Sequence, residues 1–210
     1  TMASVRKLLT TKGSYSLFRS PEVTKDYAKQ VQKRLSANTD IIFSAGSIPI
    51  AHLETNKPKV FYTDATFSQM VNYYEEASGL AARTIKEGML LEQEALDSSS
   101  MVFYSSEWAA DSAIKDYNIS PEKIKVIPLG ANIDTVLELE DVKNIVKKRD
   151  SGSCKILFLG VDWQRKRGDL VVENVRILNE EMGMPTELHI VGIKDLPLQD
   201  LPTYIYNHGF

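Results

Sequence analysis

The stretch Gly160-Val161-Asp162-Trp163-Gln164-Arg165-Lys166-Arg167-Gly168-Asp169 sets three consecutive cations between two glycines. It follows the apolar run Lys155-Ile156-Leu157-Phe158-Leu159 and precedes a stripe in which Val171, Val175, Leu178 and Met182 recur at helical spacing. The loop is therefore expected to leave the carboxyl end of a strand and enter the amino end of a helix, where open α/β sheets bind ligands. A helix start offers unpaired N–H groups and the positive end of the dipole, both of which favour an anion. Cations placed there oppose the dipole, at a cost of roughly 0.3–1 kcal/mol each when exposed. A bound diphosphate would turn that penalty into an attraction, with a guanidinium fork and an ammonium reaching its oxygens. A solvated loop whose cations point outward accounts for the same residues.

Other chemistries find less support. There is no G-x-G-x-x-G and no G-x-x-x-x-G-K-[ST], which argues against a dehydrogenase or a P-loop NTPase. The formal net charge is −3 and no basic stripe with interleaved aromatics occurs, so nucleic acid is not an expected partner. His52, His189 and His208 are scattered without ligand spacing to one another, and no metal site is expected. His189, inside an apolar run, reads as a packed core residue. Cys154 is the only cysteine, which excludes an internal disulfide framework and suggests a reducing compartment. No apolar run approaches the roughly 20 residues of a membrane span. The leading Thr1-Met2-Ala3-Ser4-Val5-Arg6-Lys7 has no adjoining apolar segment and does not read as a signal peptide. The expectation is a cytoplasmic protein, and peripheral contact with a membrane is compatible with this composition.

The elements that must position the loop follow from the apolar pattern. Short β-branched and aromatic runs occur at Asp40–Phe43, Lys59–Tyr62, Met101–Tyr104, Lys125–Ile127, Lys155–Leu159, Glu187–Val191 and Tyr204–Tyr206. Each is nearly continuous in apolar character, as in strands covered on both faces. Helices are expected between them. Ser20-Pro21-Glu22 supplies a cap, a first-turn proline and an early acid for a helix running to about Leu35. A second helical stretch fills Ser68 to Leu96 with a break near Gly79, and another follows Ser106. The alternation predicts an α/β fold with Rossmann-like parallel sheets. Regularity is weakest from Pro128 to Gly152, which places a domain boundary there. The expected division is one domain over 1–130, a linker over 131–152 and a second domain beginning at 153–210. The second unit is small for a parallel sheet and the first lacks a leading strand, so the chain reads as incomplete at both ends.

The segment from Lys155-Ile156-Leu157-Phe158-Leu159-Gly160 through Asp162-Trp163-x-Arg165-Lys166-x-Gly168-Asp169 resembles the start of the donor domain in family 4 (group 1) retaining glycosyltransferases. The preceding runs are similar too: Glu94-Ala95-Leu96, Val102-Phe103-Tyr104-Ser105-Ser106-Glu107-Trp108, and Lys123-Ile124-Lys125-Val126-Ile127-Pro128-Leu129-Gly130-Ala131-Asn132. So is Glu187-Leu188-His189-Ile190-Val191-Gly192. The resemblance spans residues 40–210 and implies the GT-B architecture, two Rossmann-like domains facing across a cleft. It implies an acceptor-side domain over 1–130 and a donor-binding domain from 153 onward, with a nucleoside diphosphate sugar as donor substrate and no bound cofactor or metal. A glycan, a lipid or a small molecule would be the acceptor. The donor diphosphate would be held by Arg165, Lys166 and Gly160. Val161 stands where the family often has an arginine, and the adjacent Arg165 would take its role. Asp64, in Tyr62-Thr63-Asp64-Ala65, occupies the place of a histidine that faces the reaction centre in many members. It is the catalytic candidate on the acceptor side, and a strand-end turn or helix cap is its structural alternative. Ser106, Glu107, Asn132 and Gly192 are the remaining cleft candidates, with an N-cap as the alternative for Ser106. The family's glycine-rich first loop is missing upstream and its Glu-x7-Glu element lies further into the donor domain than this chain extends, so the chain alone is expected to be inactive. A nucleotide-sugar epimerase of the same architecture and a non-catalytic nucleotide-binding or interaction module are the alternative functions.

Overall fold

The computed structural model describes residues 13–149, 152–198 and 200–210. Thr1–Lys7, and Asp150 and Ser151 of the expected boundary, lie outside the described residues. The chain divides into two compact units, Thr1–Ala131 and Asn132–Phe210.

In the first unit β1 (Ile42–Ala45), β2 (Lys59–Thr63), β3 (Met101–Tyr104) and β4 (Ile124–Val126) form a parallel sheet in sequential order. Helix α1 (Pro21–Arg34) starts as expected: the Ser20 hydroxyl accepts from Val23 N at 3.4 Å and Pro21 fills the first position. The expected helix over Ser68 to Leu96 is instead two helices, α2 (Phe67–Met70) and α3 (Ala82–Ser98), separated by eleven irregular or 3-10 residues rather than a break near Gly79. Two backbone features divide them. Asn72 turns left-handed at φ 59 and donates its N–H to Ala77 O at 3.0 Å. Further on, Ser14 exchanges backbone hydrogen bonds with Gly79 and Ala81, a pairing across more than sixty residues that no local pattern signals. Helix α4 (Glu107–Tyr117) ends on Asn118, also left-handed.

Helices α1, α3 and α4 all pack on one side of this sheet. Ile42, Phe61, Val102, Tyr104 and Ile124 point toward them and form one core with Ala28, Leu91, Ala95, Leu96, Ala109 and Ala113. Lys59 shares that face; its ammonium donates to Ile50 O, Leu53 O and Ser98 Oγ at 3.1, 2.9 and 2.7 Å, which uses all three of its protons. Phe43, Val60, Tyr62, Met101 and Phe103 lie on the opposite face, and Phe43 is 66% exposed. Among the described residues, the expected two-sided cover is thus present on one side only.

In the second unit α5 (Leu139–Lys147) is exposed along its whole length. It is followed by β5 (Cys154–Leu159), α6 (Gly168–Arg176), β6 (Thr186–Val191) and β7 (Ile205–Asn207), with the three strands parallel and in sequential order. Phe158, Leu188, Ile190 and Ile205 pack with Val175 of α6, while Leu157 and Leu159 on the other face are 63% and 69% exposed. Val175 is fully buried and Val171 packs against the core, but Met182, expected on the same stripe, is exposed. A π turn at Ile177–Glu181 intervenes, and its wider winding rotates the following residues off a 3.6-residue stripe. Across both units each of the seven apolar runs carries a strand, and the parallel α/β fold expected from them is the fold observed.

Candidate functional site

Each sheet presents a carboxyl edge, and the candidate residues gather at the two edges separately. In the second unit β5, β6 and β7 give way to Gly160, Gly192 and His208-Gly209. Gly160 N donates to Val191 O at 3.0 Å, His208 N to Ile190 O at 2.9 Å and Gly192 N to Gly209 O at 2.7 Å. The first two turns are in backbone contact: a Cβ on Gly192, which has φ +98, would lie 2.6 Å from Gly160 O. Only glycine combines that backbone angle with that approach. Gly209 completes the row, and no motif had singled it out.

The cationic loop is a tight structure anchored by Trp163. That ring packs on Phe158 with centroids 5.4 Å apart, and a Cβ on Gly168 would fall 2.3 Å from it, so the glycine is what lets the indole lie beneath the helix start. Asp162 folds the loop, accepting from Arg165 N at 3.0 Å through its carboxylate and from Lys166 N at 3.1 Å through its carbonyl. The three cations have different partners. Arg165 Nε lies 3.5 Å from the Asp162 carboxylate. Arg167, left-handed at φ 56, forms a two-pronged pair with Asp169 at 3.2 and 3.0 Å. The hydrogen bond from Arg167 holds the Asp169 carboxyl below its ordinary range. Lys166 has no ion pair among the described residues, and its stem lies over Gly160, where an added Cβ would be 3.2 Å from Lys166 Cγ. The loop's surplus charge therefore resides on Lys166. Contrary to expectation, the helix start is not an open set of amides: Leu170 N donates to Arg167 O at 3.1 Å, and the amides of Gly160 and Gly192 are bonded as above. The glycines contribute room for close approach rather than donors.

His189 is not a core residue. It stands half-exposed on the open sheet face, stacked on Tyr206, because its register partner in β5 is the exposed Leu157. Nor are the histidines all scattered: His189 Nδ1 lies 3.0 Å from His208 Nε2, and His189 Nε2 lies 3.2 Å from Glu187 Oε2. Parallel pairing of β6 with β7 joins residues that their separation in sequence did not.

At the carboxyl edge of the first unit, Asp64 follows the last residue of β2 and is exposed. The neighbouring strand end is tied to it through Ser105 N, which donates to Thr63 O at 3.1 Å. Ser106 caps α4 by accepting from Ala109 N at 3.4 Å, and Glu107 stands exposed in the first turn. Asp64, Ser106 and Glu107 thus share one edge. Asn132 lies in an exposed loop beyond β4 and is not brought to that edge by any described contact. The same edge holds a buried polar group whose members no sequence motif connects. Glu92 of α3, fully enclosed, accepts from Ser47 Oγ at 2.6 Å and lies 3.7 Å from Arg19 Nη1. Burial pushes the Glu92 carboxyl up, and the Arg19 guanidinium lies over the Phe67 ring at 4.0 Å. A cavity of about 170 Å³ opens beside this pair, between Gly46, Thr63 and Met70. A larger one, about 940 Å³, is lined by Lys25, His52, Lys59 and Glu94; Lys59 opens β2, which sets it at the opposite, amino edge.

No family model matches the sequence, and no curated protein does. Among solved structures, the chain is similar to Anabaena Alr3699/HepE in complex with UDP and glucose, at 14% identity and TM-score 0.49, covering 90% of this chain and 51% of that one. It is also similar to a glycosyltransferase from Rickettsia africae ESF-5, at 20% identity and TM-score 0.46, covering 85% and 46% respectively. The chain spans about half the length of these structures. Likenesses this distant transfer no residue role.

Proposed function

We propose that this chain is part of a nucleotide-sugar-dependent glycosyltransferase of the GT-B type, retaining in mechanism. Residues 1–130 form its acceptor side, 131–152 a linker and 153–210 the beginning of its donor side. The observation that carries the reading is the site at the carboxyl edge of β5–β7. There, a lysine with no ion pair among the described residues lies over a glycine whose backbone touches a second glycine. Such a surface admits a diphosphate close to the backbone and offers it one uncommitted ammonium. Arg165, bound to Asp162 only at 3.5 Å, joins by exchanging that carboxylate for a phosphate oxygen. In the reaction the bond from the donor's anomeric carbon to the diphosphate breaks, and the acceptor hydroxyl oxygen bonds to that carbon on the same face. The hydroxyl proton leaves with the nucleoside diphosphate, and negative charge grows on the departing oxygens as the bond breaks. Lys166 and Arg165 stabilise that charge from fixed positions. Asp64 accepts a hydrogen bond from the acceptor hydroxyl at the edge of the other sheet. Gly192 bounds the donor cradle, Ser106 and Glu107 line the acceptor edge, and Asn132 belongs to the linker. The setting is cytoplasmic, without a bound metal.

Titration of the chain with pyrophosphate and with UDP, followed by phosphorus NMR, tests the donor site whatever the natural base. Lys166→Ala is expected to weaken both about tenfold or more, the worth of one charge-assisted hydrogen bond. Arg167→Ala, which removes a cation already paired with Asp169, is expected to change little. Equal binding by Lys166→Ala and the unaltered chain would remove this loop from the site.

A further inference from the structure

The turn that separates α2 from α3 carries a second surface with the makings of a ligand site. Tyr73 is 70% exposed and Trp108, in the first turn of α4, is 47% exposed. Their ring centroids lie 5.7 Å apart at 46°, and Tyr74 meets Tyr73 edge-on at 5.0 Å and 75°. Large rings held in water forgo burial that ordinarily stabilises the fold, yet these are held firmly. Left-handed Asn72 closes the turn on Ala77, and the amides of Tyr73 and Tyr74 both donate to Met70 O, at 3.1 and 3.2 Å. Gln69 Nε2 donates to the carbonyl of Trp108 at 2.6 Å and ties the turn to α4. Two elements thus fix two aromatic faces outward, beside the edge where Asp64 and Glu107 stand.

The charge around the rings narrows what they can take. Segments 60–82 and 101–114 contain no lysine or arginine and carry Asp64, Glu75, Glu76, Glu107 and Asp111. All five carboxylates are exposed, and only Asp111 has a described cationic partner, Lys115 at 2.7 Å. Arg19, whose Nη2 lies 4.0 Å from Met70 Sδ, is turned inward toward Glu92, and Arg83 is paired with Glu87, so the exposed charge beside the rings is negative and repels phosphates, carboxylates and anionic lipid headgroups. A neutral sugar satisfies both features at once: its C–H faces stack on aromatic rings while its hydroxyls donate to carboxylates. We propose that Tyr73 and Trp108 form a platform that binds a neutral saccharide ring, with Asp64 and Glu107 accepting its hydroxyls. The platform makes a glycan the acceptor and to that extent rests on the transferase reading; the binding itself does not require it.

Saturation-transfer NMR with methyl glucoside, methyl galactoside and the glucose disaccharide cellobiose tests the platform on the chain as it is. Saturable transfer to at least one of these is expected, with Tyr73→Ala and Trp108→Ala each weakening it at least about threefold, in keeping with the worth of one aromatic contact. Trp108→Phe, which keeps a ring, should retain most of the binding. Both side chains are exposed, so the variants are expected to keep the circular dichroism and melting temperature of the parent. Lys166→Ala should leave saccharide transfer unchanged, so loss of the donor site and loss of the platform are read separately. No saturable transfer to any of the three saccharides, transfer unaffected by both alanine variants, or co-sedimentation with phosphatidylserine vesicles that these variants abolish would each overturn the proposal.

Discussion

Replacing Gly192 with alanine tests the feature on which the proposed donor site is built. Two penalties combine at this position. A residue with a Cβ is disfavoured at positive φ by about 1–2 kcal/mol, and φ +98 lies beyond the left-handed well where non-glycine residues are tolerated. The new Cβ would also meet a backbone carbonyl at 2.6 Å, which no rotamer change can relieve. The ends of β5 and β6 must then part, and overpacking of this kind costs about 1–3 kcal/mol. Together the substitution should destabilise the second unit by roughly 2–5 kcal/mol. Gly183→Ala is the matched control: its φ is +61 and no heavy atom lies within 4 Å of its added Cβ, so only the conformational penalty of about 1–2 kcal/mol applies.

The chain's two tryptophans make the measurement specific, because Trp108 lies in the first unit and Trp163 in the second. In a Trp108→Phe background, urea unfolding followed by fluorescence reports on Trp163, which packs on Phe158 in the core of the second unit. Gly192→Ala should lower the unfolding midpoint well beyond Gly183→Ala, and pyrophosphate binding should fall with it as Gly160 and Lys166 shift. If the two alanine variants unfold at the same urea concentration, the close approach of Gly160 to Gly192 is absent and the account of the cradle fails.

Two further outcomes concern the first unit. Arg19→Met leaves the enclosed Glu92 without its cation and should destabilise the unit by about 3–5 kcal/mol, whereas Arg19→Met with Glu92→Met should recover most of that loss. Urea unfolding of a Trp163→Phe background measures both, and a double variant no more stable than the single would refute the pairing. The Tyr15 phenol is pushed up to about 12 by burial and by its hydrogen bond to Glu87, from an ordinary value of 10.0. A folded value above the unfolded one means that the stability it contributes is intact below pH 10.0 and is lost as pH rises toward 12. Tyr15→Phe should lessen the alkaline decline, to which Tyr104 and Tyr117, also raised by burial, contribute as well. An ultraviolet difference titration of Tyr15→Phe against the parent showing Tyr15 ionising at its ordinary pH would contradict it.

The elements were legible because their signals are local. Continuous apolar runs bounded by turn formers marked every strand, and Ser20-Pro21-Glu22 and Ser106 marked helix starts through contacts no more than three residues long. At the carboxyl edge of β5–β7, the nearness of Gly160 to Lys166 was legible for the same reason, since strand, loop and helix succeed one another directly. What the sequence did not disclose depends on contacts between distant residues. Gly209 joins the cradle through strand pairing, and Arg19 reaches Glu92 across more than seventy residues. His208 reaches His189 only because β7 lies beside β6. Tyr73 and Trp108 fell inside helical assignments, where alternating aromatic and acidic residues look like solvated surface. The signal that could have found them is the sequence Asn72-Tyr73-Tyr74-Glu75-Glu76 itself: asparagine before two large rings favours a left-handed turn over a continued helix.

The overestimate of burial has a topological cause. A nearly continuous apolar strand predicts cover on both faces because parallel sheets ordinarily have helices on both. Strands laid down in sequential order, each joined to the next by a right-handed crossover, place every crossover helix on the same side. Both sheets here have that order. Helices α3 and α4 join successive strands of the first sheet, and the core they form involves Phe61, Val102 and Tyr104 while Phe43 stays in water. In the second sheet α6 covers Phe158 and Leu188 while Leu157 and Leu159 remain exposed. Two-sided cover arises when strand order reverses and the later crossovers pass over the opposite face, and the same reversal creates the crevice where such sheets bind ligands. The open faces and the one-sided sites therefore have a single origin in strand order, which composition and periodicity do not encode.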